Sequence, residues 1–259
     1  MKAFSTATII PGIVAVMFLT MIAWAQPASD DYGAREVESK MDDDLMVRKC
    51  RDFDINGTGD NHEWKKTEYT SLIKLDKGGK NYESKFKILY STTGIYVLFS
   101  GQDDRITTNE YQDFDNIYNG DVFEIFIHPR PQVPVYFEYE INQLGKQLIL
   151  MISNINGQRN SWAPWHHTGK NESGIKMKVE VVGGMRKLNA PIRSWTAELF
   201  LPYASLGLVS NEPPASGASW NANFCRLDYD SGSPIKWSWT PSIKNSFHEL
   251  DQFRSIKFE

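Results

Sequence analysis

Basic charge, cysteine and the usual catalytic signatures are all scarce in this chain of 259 residues. Lys and Arg number 28 against 32 Asp and Glu, a net charge of −4. Nucleic acid recognition calls for a clustered basic face, so it is not expected. No G-x-S-x-G elbow, H-E-x-x-H pair or phosphate-cradling glycine loop occurs, which removes the commonest hydrolase, metalloprotease and nucleotide-binding readings. The longest apolar run, residues 9–24, is broken by Pro11, Gly12 and Thr20 and falls short of the roughly 20 residues a membrane-spanning helix needs. Only Cys50 and Cys225 are present, so at most one disulfide can form. Spacing leaves a bridge and two separate thiols equally open, because bridging requires Cα atoms within about 7 Å.

What the first residues do contain is the layout of an export signal. Lys2 supplies positive charge, the apolar run follows, and Ala23-Trp24-Ala25 gives the small-x-small pattern of a signal-peptidase site. Residues 1–25 are therefore expected to be a signal peptide, with the mature protein periplasmic or extracellular and without a membrane span. Residues 26–46 are polar and acidic and read as a flexible leader. A single domain is expected over 47–259.

Within that domain no long helical periodicity occurs. Short β-rich runs follow one another at 69–75, 86–90, 95–100, 122–128, 135–142, 147–153, 175–182, 195–201, 221–229, 236–240 and 255–258. Gly78-Gly79, Thr93-Gly94, Gly120, Leu144-Gly145, Gly183-Gly184 and Gly232 punctuate them. Alternating strands at such spacing predict an all-β fold, an antiparallel β-sandwich of about ten to eleven strands. In 122–128 the period of two puts Phe123, Ile125 and Ile127 on one face and Glu124 with Phe126 on the other.

Aromatic residues make up 13% of the chain, more than one modest core requires. Trp64, Trp195, Trp220 and Trp237 are expected in the core. The rings around Trp239 and Phe247-His248, and those of Trp162 and Trp165 beside His166-His167, suit loops bordering a ligand groove. Flat rings beside carboxylates and amides fit stacking on sugar rings.

Residues 52–63 match the calcium-loop pattern, oxygen donors alternating about Gly57 and ending in Glu63. Asp52, Asp54 and Asn56 are thus candidate ligands for a structural calcium, although the flanks do not read as paired helices. The alternative is a polar turn.

Taken in order, these segments resemble the family-nine carbohydrate-binding modules. The resemblance rests on Phe53-Asp54-Ile55-Asn56-Gly57, Ile95-Tyr96-Val97, Gly120-Asp121-Val122-Phe123-Glu124-Ile125-Phe126-Ile127, Tyr136-Phe137-Glu138-Tyr139-Glu140, Trp195-Thr196-Ala197-Glu198 and the stretch from Trp239 to Phe258. It implies a non-catalytic sandwich that clamps a saccharide ring between two aromatic side chains. Tyr118 and Phe247 fall at the platform positions and Glu124 at that of the acidic hydrogen-bonding partner. Trp239 and Asn245 lie in the matching C-terminal segment. The best-known members carry Trp at both platforms, so smaller rings here mark a departure. Some members hold structural calcium; no other cofactor is implied. The implied partner is an oligo- or polysaccharide, with glycosidases as possible associates.

Two further readings belong to other classes. A haem-binding electron-transfer domain of a related sandwich would draw its ligands from Met151, Met177, His128, His166 and His167. A glycoside hydrolase would pair Glu124 with Asp121, Glu138 or Glu140.

Overall fold

A computed structural model describes residues 44–166, 173–210 and 212–259. The expected signal peptide, the leader as far as Asp43, and His167 lie outside the described residues. In chain order the strands are β1 (Leu45–Lys49), β2 (Thr70–Ser71), β3 (Ile73–Lys74), β4 (Ser84–Tyr90), β5 (Gly94–Gln102), β6 (Val122–His128) and β7 (Val135–Asn142). They continue with β8 (Gln147–Ile155), β9 (Gln158–Pro164), β10 (Lys176–Val182), β11 (Ser194–Pro202), β12 (Ser219–Asp228), β13 (Ile235–Ser238) and β14 (Arg254–Phe258).

One sheet runs β10-β11-β5-β4 and the other β14-β12-β6-β7-β8-β9, with β13 and β3 extending the second. Strand β1 joins them: its first half pairs parallel with β14 and its second half parallel with β4. The β-sandwich expected from the sequence is thus the fold, with fourteen strands among the described residues rather than ten or eleven. The surplus has physical sources. The run at 69–75 splits at Leu72 into two strands of two residues. Strand β9 is exposed along its whole length and carries no apolar alternation; its pairing with β8 alone makes it a strand.

Between the sheets the inward-facing aromatics interlock. Phe99 stacks on Phe123 at 4.6 Å and Phe86 on Phe224 at 3.9 Å, while Phe123 also meets Trp195 at 4.2 Å. Burying rings of this size stabilises the fold by about 1.5–3 kcal/mol each. Trp64, Trp195, Trp220 and Trp237 are all buried, as expected. So is Trp239, 3% exposed, whose ring lies against Phe86 and Phe224 with the Arg254 guanidinium 4.7 Å away. Its place in the core is set by strand parity: Trp237 and Trp239 point the same way from the end of β13.

The two cysteines are separate buried thiols. Cys50 packs with Ile55, Trp64 and Leu89 on the outer side of one sheet, and Cys225 with Val122 and Phe126 on the outer side of the other. Burial, reinforced by Glu63, pushes the Cys50 thiol up to about 12.

Strand β6 is buried at every position. A sandwich strand normally shows one face to water, so something must cover its outer face. The cover is made of the loop preceding β6, which brings Ile117 and Tyr118, and the loop between β13 and β14, which brings Phe247 and Phe253. These two loops and the sheet beneath them frame the site.

Candidate functional site

The floor of the site is the outer face of β6, β7 and β8. Period-two alternation turns Glu124 and Phe126 outward from β6, Tyr136, Glu138 and Glu140 from β7, and Leu148 and Leu150 from β8. The register sets Glu124 directly opposite Glu140 and Phe126 opposite Glu138. Directly paired strand residues hold Cβ atoms about 4.5–5.5 Å apart, a spacing at which like charges repel. The three carboxyls are 3%, 3% and 1% exposed. Burial, and then their mutual repulsion, holds Glu124 and Glu140 well above the usual carboxylate range. Burial pushes Glu138 up to about 7 even though a hydrogen bond from Glu140 and the nearby Arg159 pull it down. Among the described residues the Oε2 atoms of Glu138 and Glu140 have no hydrogen-bond partner.

Above this floor is a cavity of about 310 Å³, lined by the three glutamates together with Tyr118, Arg159, Trp162, Lys236, Asn245, Phe247 and His248 among others. Each wall is held by specific contacts. Tyr118 sits on a single 3-10 turn, Ile117–Asn119, whose backbone carbonyl at Tyr118 accepts from the Tyr229 hydroxyl at 2.8 Å. The opposite loop folds around Glu249. Its carboxylate accepts from the amides of Ile243 (3.0 Å), Lys244 (2.8 Å) and Ser246 (3.3 Å) and from the Ser242 hydroxyl. Asn245 takes a left-handed φ of 54°, which Asn tolerates better than most residues, and its amide donates to Asp76 at 2.9 Å.

His248 links this loop to the sheet. The guanidinium of Arg159 can only donate, so Nε2 of His248 accepts at 2.9 Å and the ring proton lies on Nδ1, toward the Tyr136 hydroxyl 2.7 Å away. Burial, then Arg159, pulls His248 down to about 4, keeping it neutral at physiological pH.

Of the five sugar-site residues expected from the sequence, Tyr118, Glu124, Asn245 and Phe247 line this one cavity. Trp239 does not: it is core, as described. Trp162, foreseen as bordering a groove, is at the rim and 47% exposed. His248 is foreseen with Phe247 as a loop residue bordering a groove; Arg159 and Lys236 are not, and only the pairing of β9 and of β13 brings them to the cavity.

The expected calcium ligands do not converge. Asp52 accepts from the hydroxyls of Thr93 (2.7 Å) and Tyr96 (3.2 Å), Asn56 is engaged with Asp60 (2.8 Å), and the fully exposed Asp54 side chain lies 3.7 Å from Lys176. Glu63, in the closing position of the loop, turns instead to the Arg51 amide and Lys66. The loop is organised by a protein carboxylate. Glu198 on β11 accepts from the amides of Asn56 (2.9 Å) and Gly57 (2.7 Å) and from the Trp64 indole (2.7 Å). Gly59, at φ 69°, is required there, since a Cβ would come within 2.3 Å of Leu98. These residues do not fit calcium, and no role is derived through one.

Asp121, grouped with the glutamates by sequence, belongs elsewhere. With Asp103 and Asp228 it lies near the buried guanidinium of Arg226, which reaches Asp228 at 2.5 Å and Asp103 at 3.0 Å. Among the described residues this is where three metal-type ligands, Asp103, Asp228 and Asp230, come together; the buried Arg226 already serves the first two, and Arg105 lies 3.4 Å from Asp230. Among the described residues the haem candidates are also dispersed. Met151 and Met177 pack at the core between the sheets, His128 contacts the Val133 carbonyl on the outer side, and His166 lies against Phe114.

Residues 55–181 match the family model described as carbohydrate family 9 binding domain-like, so the resemblance read from the sequence holds over that segment. The crystal structure of a candidate carbohydrate-binding protein from Bacteroides uniformis ATCC 8492 has a TM-score of 0.68 at 18% identity, covering 83% of this chain and 99% of that one. A family 9 carbohydrate-binding module from Caldicellulosiruptor kristjanssonii, solved with glucose and with cellotriose, has a TM-score of 0.58 at 14% identity. It covers 84% of this chain and 96% or 94% of that one. No curated protein matches the sequence. At these identities the structural likeness speaks to the fold.

Proposed function

For a chain with a carbohydrate family 9 binding domain-like segment on a sandwich of that kind, we propose that the cavity under the C-terminal loop binds a saccharide without transforming it. One ring lies between Tyr118 and Phe247, with Glu124 and the free carbonyl side of the Asn245 amide serving hydroxyls at its edge. The reading rests on one observation: Tyr118 and Glu124, from the loop and start of β6, and Asn245 and Phe247, from the loop between β13 and β14, line a single cavity although the two segments are far apart in the sequence. Similarity to modules solved with glucose and cellotriose supports it. A pyranose offers an apolar C–H face, and covering it with an aromatic ring is worth about 1–3 kcal/mol. Carboxyl and amide groups add directional bonds to the hydroxyls. We read the protein as exported, acting alone or beside a partner glycosidase in polysaccharide recognition.

Calorimetric titration with glucose and cellotriose is the test. Tyr118→Ala, which removes a half-buried platform ring, is expected to weaken binding by about tenfold. Failure of every oligosaccharide to bind would end the proposal.

One observation favours hydrolysis as a second reading: buried carboxyls held above their usual range are what a general acid requires. Release of reducing sugar that vanishes in Glu124→Gln would establish it.

A further inference from the structure

The saccharide reading leaves an imbalance unexplained. A neutral sugar needs one or two carboxyl oxygens at its edge, whereas this cavity has three buried glutamates on adjoining strand positions. Glu138 and Glu140 line it, and among the described residues the buried Oε2 atom of each has no hydrogen-bond partner. The Asp103–Asp228 cluster has an internal guanidinium; among the described residues no cation makes a hydrogen bond or ion pair with the three glutamates, although Arg159 is close enough to act on Glu138. The cations that face the cavity belong to its walls. Arg159 is exposed and bound to His248, and Lys236 enters from β13.

Resting on the saccharide reading, we propose that the ligand is an amino sugar, a hexose unit bearing a free ammonium that is seated against Glu138 and Glu140. An ammonium carries three donors and one positive charge in a compact group, so it can donate to the carboxyls of both lining glutamates and let them ionise side by side. A hydroxyl brings one donor and no charge. An N-acetylated amine brings one donor, no charge and added bulk.

The proton balance follows. At neutral pH burial, and for Glu124 and Glu140 also repulsion from the neighbouring glutamates, keeps the three from ionising together, so part of the cluster retains protons. An incoming ammonium keeps its own proton and displaces a carboxyl proton to solvent. No bond other than O–H is broken and none is oxidised or reduced. The other groups near these carboxyls are Arg159, His248 and Lys236, the Tyr118, Tyr136 and Tyr229 hydroxyls, and Cys225 from β12. Burial holds His248 neutral and Cys225 and the three tyrosines protonated across the range from about pH 5 to 7, leaving the glutamates as the groups that exchange protons.

The experiment titrates the whole mature chain with glucosamine, glucose, N-acetylglucosamine and, as a sugar-free amine, cyclohexylamine. It runs at about pH 6.5 in two buffers of different ionisation heat. Glucosamine is expected to bind about tenfold or more tighter than glucose, to release close to one proton, and to tighten as pH rises from about 5 to 7. Glu138→Gln, and independently Glu140→Gln, should bring the glucosamine preference down to about twofold or less. The proton count and pH trend are read on the unmodified protein, so they stand even if a variant folds poorly. If glucose binds as tightly as glucosamine, or no proton is released, the amino-sugar inference falls while the saccharide reading survives. If cyclohexylamine matches glucosamine, the site is a plain amine site and both fall. If no sugar binds, both fall as well.

Discussion

Each sheet of the sandwich turns buried glutamate outward beneath a covering loop, and the two sides treat it in opposite ways. On the β11 side, Glu198 is saturated by the amides of Asn56 and Gly57 and the Trp64 indole, all within 2.9 Å. On the β6–β7 side, Glu138 and Glu140 line a cavity, and among the described residues each keeps a buried oxygen without a partner. The first arrangement fastens a loop and leaves no acceptor over. The second accepts a cost in stability that a ligand can relieve. Buried acid by itself therefore says little about function; whether the protein has already supplied its donors says a good deal.

Removing the saturated acid should have the largest effect. Glu198→Leu orphans three donors at once, two of them in buried residues, Gly57 and Trp64. Each such group costs about 1–3 kcal/mol when left unmade. Denaturant unfolding should register a loss on the order of 3 kcal/mol or more, with little change in any sugar affinity measured on the folded fraction. A loss of affinity without a loss of stability would erase the distinction between the two sides.

Neutralising an unsatisfied acid should do the reverse. The Glu138 carboxyl rises from an ordinary 4.5 to about 7 in the folded protein. A raised carboxyl pKa favours folding fully below the unfolded value, and that advantage drains away as pH climbs through about 7. The ligand-free protein should accordingly lose stability between about pH 5 and 8, Glu138 accounting for a few kcal/mol of it at most. Glu138→Gln should flatten that slope and leave the protein more stable than the parent near pH 8, as thermal unfolding across the range would reveal. An unchanged slope would mean that solvent already compensates the cluster.

The comparison also separates what the sequence could tell from what it could not. Alternation in 122–128 assigned both faces of that strand correctly, because a strand's period of two survives any tertiary context. Tyr118 and Phe247 came from resemblance, carried by the aromatic and acidic residues around them. Trp239 was misplaced because it was carried over from the matching C-terminal segment of the resemblance, whereas strand parity turns it into the core beside Trp237. The oxygen-rich loop at 52–63 was legible as a tight polar turn. Its organiser, Glu198, lies about 140 residues away, and no local pattern announces it. Arg159 escaped notice for the same reason: β9 has no apolar signature, and its side of the cavity exists only once β8 recruits it.

The smallest effect expected concerns a third glutamate, one that resembles Glu198 in its bonding but stands at the cavity. Glu249 gathers three backbone amides and the Ser242 hydroxyl, and so shapes the loop that presents Asn245 and Phe247. Burial raises its pKa, yet those donors outweigh burial and hold it below the usual range. A depressed carboxyl contributes stability above its unfolded pKa and loses it as pH falls through the folded value, so the loop should loosen only in strong acid. Glu249→Gln substitutes an amide whose NH₂ faces N–H donors, and should cost about 1 kcal/mol or slightly more. Because the loop is one wall of the site, the loss should fall on ligand affinity, about fivefold, and on amide-exchange protection at Ile243, Lys244 and Ser246, with global unfolding little altered. Were global stability to drop instead, Glu249 would be a staple of the Glu198 kind, and the division between a fastened face and an open one would have to be drawn through the loop itself rather than between the sheets.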